Sequence, residues 1–157
     1  MPLPTPEAPL TGACRCGALT MQITAPPFMT AACHCQGCQR MASSAFSLTM
    51  MVSADTFRVT GGTPVPAGAG SADLTHYACP ACHSWVYTQV TGVDFVNLRS
   101  ALFDDPAWTQ PFIETQRAEA LPWVPSLAPH GFERFPEMER FPELIAAFAA
   151  ERLGAQG

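Results

Sequence analysis

Residues 74–90 read LTHYACPACHSWVYTQV. Two short runs rich in threonine, valine and aromatic side chains, Leu74–Ala78 and Trp85–Val90, flank the turn Cys79-Pro80-Ala81-Cys82. Runs of this kind on either side of a tight turn predict a β-hairpin. A Cys-x-x-Cys turn lets two sulfurs converge on one ion, so the hairpin tip is also a candidate metal knuckle. The same vocabulary continues outward. Ala18–Thr24 alternates Leu19, Met21 and Ile23 with Thr20, Gln22 and Thr24, the period of a half-buried strand. Phe28–Cys33, Ala45–Val52, Phe57–Thr60 and Phe95–Leu98 read as further strands, with Phe46, Leu48 and Met50 sharing one face. Gln36–Ala42 has room for one or two helical turns. Leu144–Leu153 is an amphipathic helix with Pro142 near its start and Gly154 at its end. Pro64–Ser71 is a loop of small residues, and Asp104–Pro142 reads as mostly loop. The fold class is mainly β, with short helices and one C-terminal helix.

The chain has 157 residues, 48% hydrophobic and 13% charged, which suits one packed domain over 11–157 behind a poorly ordered, Pro-rich tail over 1–10. Sixteen prolines leave little room for long helices. A net charge of -5, with arginine as the sole strong base, argues against nucleic acid as partner. No run is apolar enough to span a membrane, and no leader pattern opens the chain. The expected location is the cytoplasm, where seven cysteines do not build a disulfide framework.

The cysteines fall into three groups: Cys14 with Cys16, Cys33 with Cys35 and Cys38, and Cys79 with Cys82. Cys14/Cys16 and Cys79/Cys82 each supply half of a tetrahedral four-thiolate zinc site, closing a loop of more than sixty residues. Cys33, Cys35 and Cys38 supply three thiolates and leave a fourth position, the pattern of a reactive zinc. Two zinc ions per chain then use every cysteine. Other arrangements also satisfy the spacing: the triplet recruits a further cysteine, or His34, His76 or His83 completes a second structural site.

These groups carry a resemblance. Gly12–Gly17 (GACRCG), Cys33–Arg40 (CHCQGCQR), Ser43–Phe46, His76–Ser84 around its Cys-x-x-Cys turn, and Leu102–Pro106 (LFDDP) are together similar to the glutathione-dependent formaldehyde-activating enzyme family, also called the centromere protein V domain family. The resemblance implies an Mss4-like β fold. It implies a structural zinc on Cys14, Cys16, Cys79 and Cys82, and a second zinc on Cys33, Cys35 and Cys38 near which a substrate thiol binds. His83 stands where the family has glycine, a position that favours left-handed backbone.

The expected activity is that of a carbon–sulfur lyase joining a glutathione-type thiol to formaldehyde or a similar small aldehyde, in a chain that can also assemble with its own copies. The alternative is a non-enzymatic zinc scaffold that binds another protein. Arg40 and Arg15, beside ligand cysteines, are the candidate partners for carboxylates of the thiol. Phe46 is a candidate pocket wall and His34 a candidate proton shuttle. Trp108 and Trp123 are candidate caps, with plain packing as the competing role.

Overall fold

A computed structural model describes residues 2–154. In chain order the strands and helices are β1 (Leu10–Ala13), β2 (Thr20–Ile23), β3 (Met29–Cys33), α1 (Gln36–Ala42), β4 (Ser47–Ser53), β5 (Phe57–Gly61) and β6 (Val65–Pro66). They continue with β7 (Leu74–Ala78), β8 (Trp85–Val90), β9 (Phe95–Leu98), β10 (Ile113–Thr115), β11 (His130–Gly131) and α2 (Phe141–Phe148). The fold is mainly β, with a C-terminal helix. Strands β1, β2 and β5 form a small antiparallel sheet. The other eight form one sheet in the order β11-β10-β3-β4-β9-β8-β7-β6. Within it β10 runs parallel to both β3 and β11, and the remaining pairs are antiparallel.

The alternation legible in β2 does what the pleat requires: Met21 and Ile23 are 1% and 0% exposed, while Thr20 and Gln22 are half-buried. Their apolar face joins Met29, Met50, Val52, Val96, Leu98, Phe112 and Ile113 in one core. Helix α2 closes that core with Leu144 and Phe148, four residues apart and so on one face. It begins at Phe141 rather than at Leu144, and Ala149–Leu153 continues it as a wider π-type turn ending at Gly154.

Three stretches differ from their reading as loop or tail. Residues 2–10 hold a turn closed by paired bonds between Thr5 and Ala8, Pro4 is buried, Leu3 packs on the core, and Leu10 opens β1. Prolines already restrict this backbone, so fixing it costs little entropy while Leu3 and Leu10 bury apolar surface. The loop 64–71 contributes the short edge strand β6. The long stretch 104–142 contributes β10, whose three residues are all buried, and β11. No helix among the described residues is long and apolar enough to cross a membrane.

Candidate metal centre

The first cysteine group is built from two turns, each ending in a left-handed residue after its second cysteine. After β1 the chain reverses over Cys14–Gly17, with the Gly17 N–H bonding the Cys14 carbonyl at 3.0 Å and Gly17 at φ 77°. Between β7 and β8 the His83 N–H bonds the Cys79 carbonyl at 2.9 Å, and His83 takes φ 58°. The residue after each second cysteine is left-handed, which glycine adopts freely and histidine at some cost. The turns face one another: the Arg15 N–H reaches the Ser84 hydroxyl at 3.3 Å, and that hydroxyl lies 3.2 Å from Cys82 Sγ. Its hydrogen bond holds the Cys82 thiol down at about 5. The Leu19 N–H points at Cys14 Sγ at 3.3 Å. Cys14 and Cys16 sulfurs are 3.5 Å apart and those of Cys16 and Cys79 3.9 Å, and all four sulfurs lie within 4.8 Å of one another. A tetrahedron of sulfurs about 2.3 Å from zinc has edges of about 3.8 Å. The four donors therefore fit a zinc ion in both spacing and chemistry.

The second group lies where β3 passes into α1. Cys33 ends the strand. Cys35 is the N-cap of α1, its sulfur accepting the Cys38 N–H at 3.3 Å, so the cap places Cys35 and Cys38 together. The sulfurs of Cys33, Cys35 and Cys38 also lie within 4.8 Å of one another. A hydrogen bond from the Cys38 thiol holds Cys33 down at about 5, and the same bond pushes Cys38 up. No histidine, aspartate or glutamate among the described residues joins either sulfur group. The second group is thus a three-thiolate set, compatible with zinc and one donor short of a tetrahedron.

A carboxylate that the sequence reading passed over holds this second group in place. Glu114, in the middle of β10, is fully buried. Its Oε2 takes a 2.8 Å contact from His34 Nε2 and a 2.7 Å bond from Arg117, while its Oε1 accepts from the Ser126 hydroxyl and the Leu127 N–H, both at 2.9 Å. Burial would raise its pKa. The Leu127 N–H, the Ser126 hydroxyl and His34 outweigh that and hold it below the usual carboxylate range. His34 itself is fully buried between two cysteines. Its ring is therefore a strut for the Cys33–Cys35 segment rather than a proton carrier in open contact with solvent. The His34 N–H also bonds the Thr115 carbonyl at 3.0 Å, and the Gln36 N–H bonds Glu119 Oε2 at 2.8 Å. The Gln39 side chain ties the His34 carbonyl at 2.6 Å to that of Glu119 at 2.9 Å.

Other candidates separate in space. Arg15 is exposed beside the four-thiolate group. Arg40 is exposed on α1 and contacts Gln36 at 3.4 Å. Phe46 is half-buried with its ring 5.6 Å from that of His34, beside the three-thiolate group. Trp108 belongs to the core, and Trp123 is 71% exposed. A surface cleft of about 190 Å³ between Thr75, Gln89 and Phe95 contains no ionisable side chain.

A β frame that holds a four-thiolate group between two facing turns and a three-thiolate group at a strand-to-helix junction defines a class of cysteine-cluster β proteins. Within that class the chain belongs to the glutathione-dependent formaldehyde-activating enzyme family, whose model matches residues 9–118. Among solved structures it is similar to a crystal structure of a Rhodobacter sphaeroides protein, with a TM-score of 0.49 and 17% identity over 60% of this chain and 87% of that one. No curated protein matches the chain.

Proposed function

We propose that the protein is a zinc-dependent enzyme of carbon–sulfur lyase type that joins a glutathione-like thiol to formaldehyde or a similar small aldehyde. The single observation behind this reading is the three-thiolate group with its missing fourth donor. Cys33, Cys35 and Cys38 would hold the reactive zinc, and Cys14, Cys16, Cys79 and Cys82 the structural one. When bound, the reactive zinc supplies a position at which an incoming thiol loses its proton near neutral pH.

The thiolate sulfur then attacks the carbonyl carbon. A C–S bond forms, the carbonyl π pair moves to oxygen, and the oxygen takes up a proton to leave a hemithioacetal, the S-hydroxymethyl adduct when the aldehyde is formaldehyde. The reverse sequence breaks the C–S bond. The chain's own residues position rather than react. His34 and Glu114 fix the spacing of Cys33 and Cys35, and the Cys35 cap fixes Cys38. Phe46 screens one side of the sulfurs from water. Arg40, two residues beyond Cys38, is exposed with its guanidinium 3.4 Å from the Gln36 side chain and is a secondary candidate for contact with an acid group. Seven free thiols call for a reducing compartment, and we place the protein in the cytoplasm.

Elemental analysis of the purified protein should find about two zinc ions per chain. Cys35→Ser should remove about one of them while the chain stays folded, because serine is itself a good N-cap for α1. Exchange NMR with glutathione and formaldehyde should show faster interconversion with the loaded protein than without it, and no acceleration with Cys35→Ser. One zinc per chain, or no acceleration by the intact protein, would defeat the reading and leave a metal-stabilised binding scaffold.

A further inference from the structure

The large sheet has an apolar face turned to the core and a second face on which a partly buried strip of polar side chains runs past Ala31 and Met51. The strand registers define that second face. Cys33 pairs with Ser47 and Ala31 with Thr49. Further across, Met51 pairs with Asn97, Asn97 with Thr88, and Thr88 with His76. Side chains of directly paired residues lie on the same face, and residues two apart on one strand do as well. Cys33, Ser47, Thr49, Asn97, Thr88 and His76 therefore form one polar strip beginning at the three-thiolate group. Arg99 joins it, two residues beyond Asn97, with its N–H bonded to the Val86 carbonyl at 2.9 Å. A bulge between Tyr77 and Ala78 in the β7–β8 register sets Trp85 opposite Ala78, bringing it to the same face. The Arg99 guanidinium carbon lies 4.0 Å from the Trp85 ring centroid, and the His76 ring 5.2 Å from that of Trp85.

This strip is not a solvated surface. Ser47, Thr49 and Thr88 are 2%, 7% and 4% exposed. Three of its polar atoms are buried with no hydrogen-bond partner among the described residues: Trp85 Nε1, Asn97 Oδ1 and Arg99 Nε; the Ser47 hydroxyl instead faces the Cys38 thiol. Native interiors rarely leave such atoms bare, and a cluster of them marks a place built for a polar guest. Arg99 forms no ion pair with a carboxylate among the described residues; its one side-chain bond is a long one, 3.4 Å to the Asn97 carbonyl. Burial lowers its pKa to about 10, and the nearby Cys38 and Cys33 thiolates act against that shift. It stays a cation at neutral pH, and its planar fork matches a carboxylate with two parallel bonds. Arg99 also sits within reach of the sulfurs. Its strand lies two strand spacings, about 10 Å, from β3, and its side chain spans part of that gap.

We propose that Arg99, stacked on Trp85 and flanked by Asn97, is a carboxylate-binding residue that selects a thiol carrying an acid group for the three-thiolate site. The proposal rests on the thiol-addition reading and deepens it. The substrate thiol is one whose sulfur and carboxylate lie within about 10 Å of each other, as in a cysteinyl peptide. Arg40 and Arg15, chosen for their neighbours in sequence, are not required for this selection.

Calorimetry on the zinc-loaded chain, titrated with glutathione and separately with glutathione diethyl ester, tests the selection. The unaltered chain should bind the acid at least about tenfold more tightly than the diester. Arg99→Met should erase that preference while changing diester affinity less than about twofold and leaving zinc content unchanged. A preference that survives in Arg99→Met overturns the proposal. So does equal weakening toward both thiols, or loss of the second zinc, because either makes Arg99 a counter-ion to the sulfurs alone. Should Arg99→Met fail to fold, Arg99→Lys keeps the charge and loses the fork. It should cut the preference by at least about threefold, and an unchanged preference overturns the proposal. An intact chain that binds neither thiol refutes the thiol reading itself and this inference with it. An intact chain that binds both equally refutes only the inference.

Discussion

Glu114 carries more hydrogen bonds than any other carboxylate described above, and each of them is stronger to the ionised carboxylate than to a neutral group. Its depressed folded-state pKa fixes the sign of its pH dependence. A carboxylate whose pKa falls on folding contributes stability that is fully present above its unfolded value of about 4.3 and is lost as pH drops through the lower folded value. Glu114→Gln should therefore cost about 2–3 kcal/mol near neutral pH, the worth of hydrogen bonds to a buried charge. The gap between variant and parent should narrow as pH falls below about 4. Urea unfolding at a series of pH values measures this, and a constant gap across the series would rule out the ionised network. The sequence gives no sign of this role. Glutamate in a stretch of prolines and charges reads as surface, because glutamate is seldom fully buried unless paired. Its partners His34 and Ser126 are 80 and 12 residues away. The cysteines are a mixed case. Within each of the three groups they lie two to five residues apart, so local spacing shows which sulfurs are neighbours, whereas the meeting of Cys16 with Cys79 spans 63 residues and depends on the fold. Arginines chosen by the same local rule, Arg15 and Arg40, lie on exposed positions, while Arg99 reaches the polar strip through sheet register that one sequence does not display.

At the scale of elements, strands marked by alternation, by β-rich composition or by a flanking turn are legible, and the shortest strands are not. Strand β2 has one apolar face and one polar, so its period is visible. In β4 the face of Leu48 and Met50 stands out, but Ser47 and Thr49 behind it are buried too, and polarity there was no guide to exposure. Strand β10 is three residues long, too short for a period to appear, and β1 (LTGA) carries a single large apolar side chain, Leu10. Strand β1 is defined instead by a close approach. Gly12 forms a bridge with Phe103, and a Cβ added at Gly12 would come within 2.7 Å of the Leu102 carbonyl oxygen and 2.9 Å of the Phe103 ring. One contact is backbone and the ring is buried, so neither yields easily. Gly12→Ala should destabilise the chain by about 1–3 kcal/mol, the usual cost of overpacking. Thermal unfolding would register it as a lowered Tm; an unchanged Tm would mean β1 can move away from Phe103 at no cost. The same stretch shows why Leu102–Pro106 matters to the fold: the Asp104 N–H bonds the Thr11 carbonyl at 3.0 Å, sealing β1 to the segment after β9.

For the whole molecule, the two cysteine groups have different mechanical positions, and that difference predicts different consequences of losing them. Cys14 and Cys16 follow β1 of the small sheet, whereas Cys79 and Cys82 join β7 to β8 in the large one. An ion held by all four would tie the two sheets together across a separation of 63 residues between Cys16 and Cys79. Such a closure restricts the unfolded chain strongly, and structural zinc contributes apparent free energies on the order of 10 kcal/mol, comparable to the entire net stability of a small domain. The three-thiolate group closes only the six residues 33–38, already fastened by the α1 cap and by Glu119, so its loss removes little that holds the fold. Cys79→Ser should therefore unfold the chain at ambient temperature, seen as loss of the β-sheet circular dichroism signal and release of both zinc ions, and strong chelators should do the same to the parent chain. Cys35→Ser should keep the parent spectrum. A Cys79→Ser chain with native circular dichroism would mean that apolar contact between the sheets suffices without the ion. The division of the seven thiols into a structural and a reactive set would then have to be redrawn.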